Sequence, residues 1–361
     1  MKKVLEVRGD QATAILSLLK CVATAEGTLE LHEVHKATLH AFAEHLFHTE
    51  VDVDGLEGTL QGAGDAVADP DLRRDVMNMA GIIPFLEEAD KEVRIDTFER
   101  LSEAFGFSRK FARELHKLCH GSVTEVSICQ IRPLLLESGV KISTAPFKFL
   151  KSQLHLDGDR KMLARYEGYR DLPEGMFGRV MTEYYRDNEF PLPGTKGALF
   201  SNILMVHDMH HVLTGYPTTP LGETCVIAFA DGMMDLDLGK SLIGYVAQFQ
   251  VGLQFDKGLE SWRNQFNPDR VIHAFERGGR ATVNFEKYDF DFLPYLEQPL
   301  AEVRSKFGID PEGAIVRGPD DLWCGDMGIV GMRKSPDMVE KKLSWFEKLL
   351  AGKNTESDLS S

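Results

Sequence analysis

The chain reads as an all-α protein built from two helical domains. Three observations predict this. Apolar residues recur at i, i+3, i+4 and i+7 through most of the sequence. Windows that alternate apolar and polar residues with period two, the mark of half-buried strands, are scarce. Its 361 residues exceed the usual length of one domain.

The helices are predicted in order. Ala12 to Ala25 places Ile15, Leu18, Leu19 and Val22 on one stripe, and Gly27 stops it. Glu33 to Leu46 repeats the pattern with Val34, Leu39, Phe42 and Leu46. Two more helices follow, near Leu72 to Glu88 and Ile95 to Phe105, and Ser108 begins another with Phe111 and Leu115 inward. A transition with Pro133 and Pro146 places the domain boundary near Val140, giving domains over 1–125 and 140–310. The remainder, 311–361, is a C-terminal extension. It is predicted to end in an amphipathic helix with Ser335 as N-cap, Pro336 in the first turn, and Val339, Leu343, Phe346 and Leu350 on one face.

Composition excludes several classes. Hydrophobic residues at 43% and charged residues at 27% suit a packed globular core. A net charge of −15 disfavours nucleic acid, whose phosphates demand Lys and Arg. It equally disfavours electrostatic docking on anionic lipid, while insertion through an apolar patch at a membrane surface stays open. No run of ~18 apolar residues is long enough to span a bilayer. MKKVLEVRGDQ lacks the apolar stretch of a secretory signal. Cys21, Cys119, Cys129, Cys225 and Cys324 form no CxxC pair, the pattern of reduced thiols in a cytoplasmic compartment.

In the first domain, Ala23 to Leu39 carries an acidic Gly turn, Glu26–Gly27, with Glu33 seven residues after Glu26. This segment resembles the tellurite-resistance B-like (TerB-like) helical domain, over roughly Gly9 to His120. A weaker copy runs from Leu86 to Ser108, with Thr97 where the second Glu is expected. Such acids either hold a hard cation or sit at helix N-termini as favourable charges.

Leu204 to Gly232 is the most informative segment. At ~100° per residue, His207, Asp208 and His211 share one face of a helix. A continuous helix would leave Glu223 ~18 Å from them. Gly215 suits a C-cap, Pro217 cannot continue the helix, and Thr219–Pro220 starts a new one. The segment is therefore a hairpin that returns Glu223 to the other three. Two imidazoles and two carboxylates form a divalent-metal set, best suited to zinc and compatible with iron or manganese. His210 points to the neighbouring face, as an outer partner or an exposed residue.

The arrangement His207-Asp208-x-x-His211, eleven residues, then Glu223 resembles the hallmark of the coenzyme Q (ubiquinone) biosynthesis protein 4 family. Flanking segments are similar as well: Asp171 to Tyr185, His273 to Phe285, and Gln298 to Ile309. The region between Gly232 and Asp269 departs from that pattern. The resemblance implies that the four ligands are also the catalytic residues. They would act on carbon 1 of a polyprenylated 4-hydroxybenzoate-derived precursor by metal-assisted, oxidative decarboxylation, or else organise the biosynthetic complex. It further implies other quinone-biosynthesis proteins as partners, peripheral contact with the inner face of the membrane, and a homo-oligomer. Glu174, Arg277 and Arg280 are candidate contacts for the substrate head group, or else surface ion pairs. The apolar faces of Phe177 to Tyr185 and Val226 to Met234 would either line a prenyl groove or serve as core.

Two rival functions are weighed. Four protein ligands would close a tetrahedral zinc shell, which favours a non-catalytic, zinc-stabilised lipid-binding scaffold. A metal-dependent hydrolase of the HD type would need a further His and Asp, for which His155 and Asp231 are the nearby residues.

Overall fold

The computed structural model describes residues 2–108, 113, 115–117, 158–196, 201–236, 238–253, 261–287, 290–312 and 338–339. Across these the chain is helical, with one two-residue strand pair, as the apolar periodicity predicts. The N-terminal part runs α1 (Lys2–Glu6), α2 (Gly9–Ala23), α3 (Glu33–Ala41), α4 (Ala63–Ala66), α5 (Pro70–Ile82) and α6 (Lys91–Ala104). A π-helical turn, Phe42–Leu46, prolongs α3, and a 3₁₀ turn, Ile83–Phe85, prolongs α5. The C-terminal part runs α7 (Arg160–Tyr169), α8 (Phe177–Asp187), α9 (Ser201–Thr214), α10 (Pro220–Met233) and α11 (Leu238–Phe249). It continues with α12 (Pro268–Arg280), α13 (Leu293–Leu296) and α14 (Leu300–Phe307).

Local chemistry explains several boundaries. Asp69 caps α5 through Asp71 N, and Asn267 caps α12 through Arg270 N, each with a proline in the first turn. On α2 the predicted stripe of Ile15, Leu18, Leu19 and Val22 is buried, at 2% exposure or less. Gly308 ends α14 in the left-handed region at φ 67°.

The two halves share one apolar core. α5 packs on α11, and both α3 and the π turn pack on α12. Polar links cross as well: Gln250 Nε2 donates to the Leu86 carbonyl at 2.8 Å, and His45 Nε2 meets Asp269 at 2.8 Å. The expected boundary near Val140 lies outside the described residues.

α10 and α12 pack closely against each other. A Cβ on Gly232 would stand 2.1 Å from the Phe275 carbonyl oxygen, and one on Gly278 would stand 2.0 Å from that of Phe229. At both positions a side chain would have to push backbone aside, so backbone lies directly on backbone.

The C-terminal extension differs from expectation where it is described. Met338 and Val339 form strand β2, antiparallel to β1 (Ser261–Trp262), in place of the predicted helix. β-branched Val339 pairs opposite Ser261, and Trp262 beside it is 1% exposed. An edge on a buried aromatic strand thus overrides a helical period read from spacing alone. The other residues of that predicted helix lie outside the described residues.

Candidate metal centre

The predicted hairpin forms from the residues that signalled it. Gly215 takes φ 81°, a conformation that side-chain-bearing residues rarely adopt, and its N–H donates to the His211 carbonyl at 2.9 Å. Thr219 caps α10 by accepting from Gly222 N at 3.2 Å, and Pro220 follows at N1. Gly222 packs against the Pro217 carbonyl, 1.8 Å from where its Cβ would lie. The turn is as tight as backbone allows, so α10 runs back along α9.

This brings three of the four predicted ligands together. His207 Nε2 lies 3.0 Å from Glu223 Oε2, His211 Nε2 lies 3.3 Å from Glu223 Oε1, and the two Nε2 atoms are 3.2 Å apart. Tetrahedral ligands held ~2.0–2.1 Å from a zinc ion stand ~3.3 Å from one another, so the donor set fits such an ion. His211 Nδ1 is 2.9 Å from the Tyr216 carbonyl oxygen, which can only accept. The Nδ1 therefore carries the proton and Nε2 presents its lone pair, the arrangement that orients metal-binding imidazoles.

Asp208 is held elsewhere. Its carboxylate accepts from Tyr185 Oη at 2.8 Å and Tyr184 Oη at 3.1 Å, and it is not among the clustered ligand atoms of His207, His211 and Glu223. Both tyrosines belong to α8, whose apolar face buries them against α9. Tyr184 also stacks on the His211 ring, with centroids 5.7 Å apart. Asp208 thus supports the site through tyrosines. These two residues lie inside a segment noted for its resemblance, but their role required knowing where α8 packs.

The charges explain themselves. Burial opposes charging His207, yet the carboxylate and hydrogen bond of Glu223, with Asp208 and Glu286 nearby, lift its pKa to about 9. Burial likewise works against the Glu223 carboxylate, but His211 and His207 hold its pKa far below the usual range. Burial raises Asp208, against the pull of His207 and the tyrosine hydroxyls. Burial, then the Asp208 charge, pushes both tyrosines well up, so they remain protonated donors. Without a cation, a proton stays on His207 between its partners; a bound metal must displace it.

The remaining predicted residues fall away from the cluster. Arg277 is 1% exposed and ties the hairpin together: it donates to Tyr216 Oη at 2.5 Å, to the Thr214 carbonyl at 3.2 Å, and to the Asp310 carbonyl. It also lies over the Tyr216 ring, 5.1 Å from its centroid. Arg280 pairs with Glu276 one turn back, and Glu174 is exposed. His210 is buried, not exposed, with Nε2 3.0 Å from Glu286. The apolar faces of α8 and α10 are largely core. Asp231 is buried at 2% exposure, and His155 lies outside the described residues.

Among the N-terminal helices, Glu26 pairs with Arg100 at 3.1 Å, and Glu33 stands in the first turn of α3. Neither joins a cluster of ligand atoms among the described residues. No described helix is long and apolar enough to cross a membrane. In comparisons with known proteins, no protein-family model, no curated protein and no solved structure matches the chain.

Proposed function

We propose that the chain is a divalent-metal enzyme of quinone assembly, with His207, His211 and Glu223 as the protein ligands. The observation that carries this reading is the 3.0–3.3 Å convergence of the three side chains while Asp208 is turned to Tyr184 and Tyr185. Three protein ligands leave a coordination position for a substrate oxygen, as in catalytic sites, whereas the scaffold reading depended on four. His207 keeps 32% of its side-chain surface open, so the cluster is reachable from outside.

The resemblance supplies the substrate class: a polyprenylated 4-hydroxybenzoate-derived acid that loses its ring carboxylate at carbon 1. Zinc is the favoured ion, with iron or manganese the alternatives. When bound, the cation supplies Lewis acidity toward a ring carboxylate or phenolate, and iron would add oxygen chemistry. The protein's own contribution is positional. The Tyr216 carbonyl fixes the His211 tautomer, the Thr219 cap fixes the start of α10 and hence Glu223, and the Asp208–Tyr184 pair braces the His211 ring. Assembly with other quinone-biosynthesis proteins, as a homo-oligomer in peripheral contact with a membrane, belongs to the same proposal.

The test is turnover. Protein loaded with zinc, iron or manganese should release CO2 from a prenylated 4-hydroxybenzoate derivative in the presence of oxygen. Full metal loading with no product from any of the three would overturn the catalytic reading in favour of the scaffold.

A further inference from the structure

A second set of ligand-type side chains lies where the two halves of the chain meet. From the N-terminal half come His45, in the π-helical turn, and His48, just beyond it. From α12 come His273 and Glu276, three residues apart and so on one helical face. Single donor atoms of His45, His273 and Glu276 all lie within 4.8 Å of one another. The His45 and His273 rings are stacked, 4.8 Å between centroids and 10° from parallel. Glu276 Oε2 is 3.9 Å from His45 Nδ1, and Glu276 Oε1 is 3.5 Å from His48 Nε2.

The backbone is shaped to produce this. A π turn inserts one residue into the helical register, and such turns concentrate at functional sites. Here it covers His45. His48 then adopts φ 47°, an uncommon conformation for a residue with a side chain. Glu276 is only 5% exposed, and its carboxylate faces His45, His48 and Arg280 together. A cleft of about 510 Å³, lined by His40, Ala43, Glu44, His48, Thr49 and Glu50, opens beside His48, the outermost of these side chains.

We propose that His45, His273 and Glu276, with His48 as the outer ligand, form a second divalent-cation site that clamps the N-terminal helices to α12. Three imidazoles and one carboxylate select a borderline cation such as zinc over calcium or magnesium. Arg280 occupies one side of Glu276 and is 53% exposed, so it can swing out while Oε2 turns to the ion. Asp269, 2.8 Å from His45 Nε2, would hold that imidazole from its far side. The site shares no ligand with His207, His211 and Glu223 and stands whether or not those bind metal.

Zinc titration of full-length His211→Ala protein isolates it. One zinc per chain should bind at micromolar or lower concentration, and His48→Asn, at a partly exposed position, should weaken binding about tenfold. His45→Asn with His273→Asn should abolish it. Failure of the His211→Ala protein to bind zinc, or unchanged binding in the double variant, would overturn the proposal. If the double variant does not fold, histidine modification by diethyl pyrocarbonate, read by peptide mass, replaces it. Zinc should then protect His45 and His273 in the His211→Ala protein, and equal labelling with and without zinc would overturn the site.

Discussion

Replacing Asp208 with asparagine should preserve zinc binding at the proposed hairpin site, whereas replacing His211 with alanine should abolish it. The carboxylate of Asp208 accepts hydrogen bonds from Tyr185 at 2.8 Å and Tyr184 at 3.1 Å. Hydrogen bonds to a charged group contribute about 1.5–3 kcal/mol and neutral ones about 1 kcal/mol. Turning two of the first kind into the second therefore costs about 1–4 kcal/mol of folding stability. Its effect on the metal is indirect, through Tyr184 stacked on His211, and such outer partners change affinity about 10-fold to 100-fold. His211→Ala removes a ligand outright and should take binding at this site below detection. The assay is equilibrium dialysis against buffered zinc in a His45→Asn, His273→Asn background, so that the second cluster adds nothing, with urea unfolding run in parallel. If folded Asp208→Asn protein loses zinc as completely as His211→Ala, Asp208 is a ligand and the three-residue arrangement is wrong.

Other consequences follow from single contacts. Arg277→Met should lower the unfolding free energy by about 2–4 kcal/mol, because Tyr216 Oη and two carbonyls lose their buried partner; urea unfolding measures this, and a loss confined to KM would instead make Arg277 a substrate contact. Gly278→Ala should cost at least about 1–3 kcal/mol, since the new methyl meets the immovable Phe229 carbonyl; a variant within 0.5 kcal/mol of wild type, on the scale of ordinary surface changes, would contradict the close approach. His35 has its pKa lowered to about 3, first by burial and then by Arg94, against a hydrogen bond to the Ile83 carbonyl. The unfolded chain therefore takes up a proton near pH 6.5 that the folded chain refuses until about 3, and stability falls with pH across that window. His35→Gln should flatten the decline by up to about 1.4 kcal/mol per pH unit. Parallel pH profiles for wild type and variant would show that His35 titrates normally.

The hairpin was legible in the sequence because its causes are local. Gly215, Pro217, Thr219 and Pro220 act on their own backbone, and that backbone alone returns Glu223 to His207 and His211. Asp208 was not legible in the same way. Helical spacing places it on the face of the ligands, but its direction is decided by Tyr184 and Tyr185 on α8, a different helix. Arg277, which the sequence offers as a head-group contact or a surface ion pair, is buried against Tyr216. The N-terminal helices followed from period 3.6, yet the π turn at Phe42–Leu46 has no periodic signature, so the position of His45 was hidden. Its partners lie on α12, joined to it only by tertiary packing. β2 was missed for a related reason: Met338 and Val339 take their conformation from β1.

The glycine contact between α10 and α12 has a mechanical meaning. Gly232 and Gly278 put main chain against main chain, so at these two points no side-chain rotamer lies between the helices to absorb a small shift. The two helices therefore behave as one lever without slack. Glu223 rides at one end of it, and His273 and Glu276 ride on its other arm. The path from the hairpin carboxylate to the face of α12 that carries His273 and Glu276 is thus continuous main-chain packing.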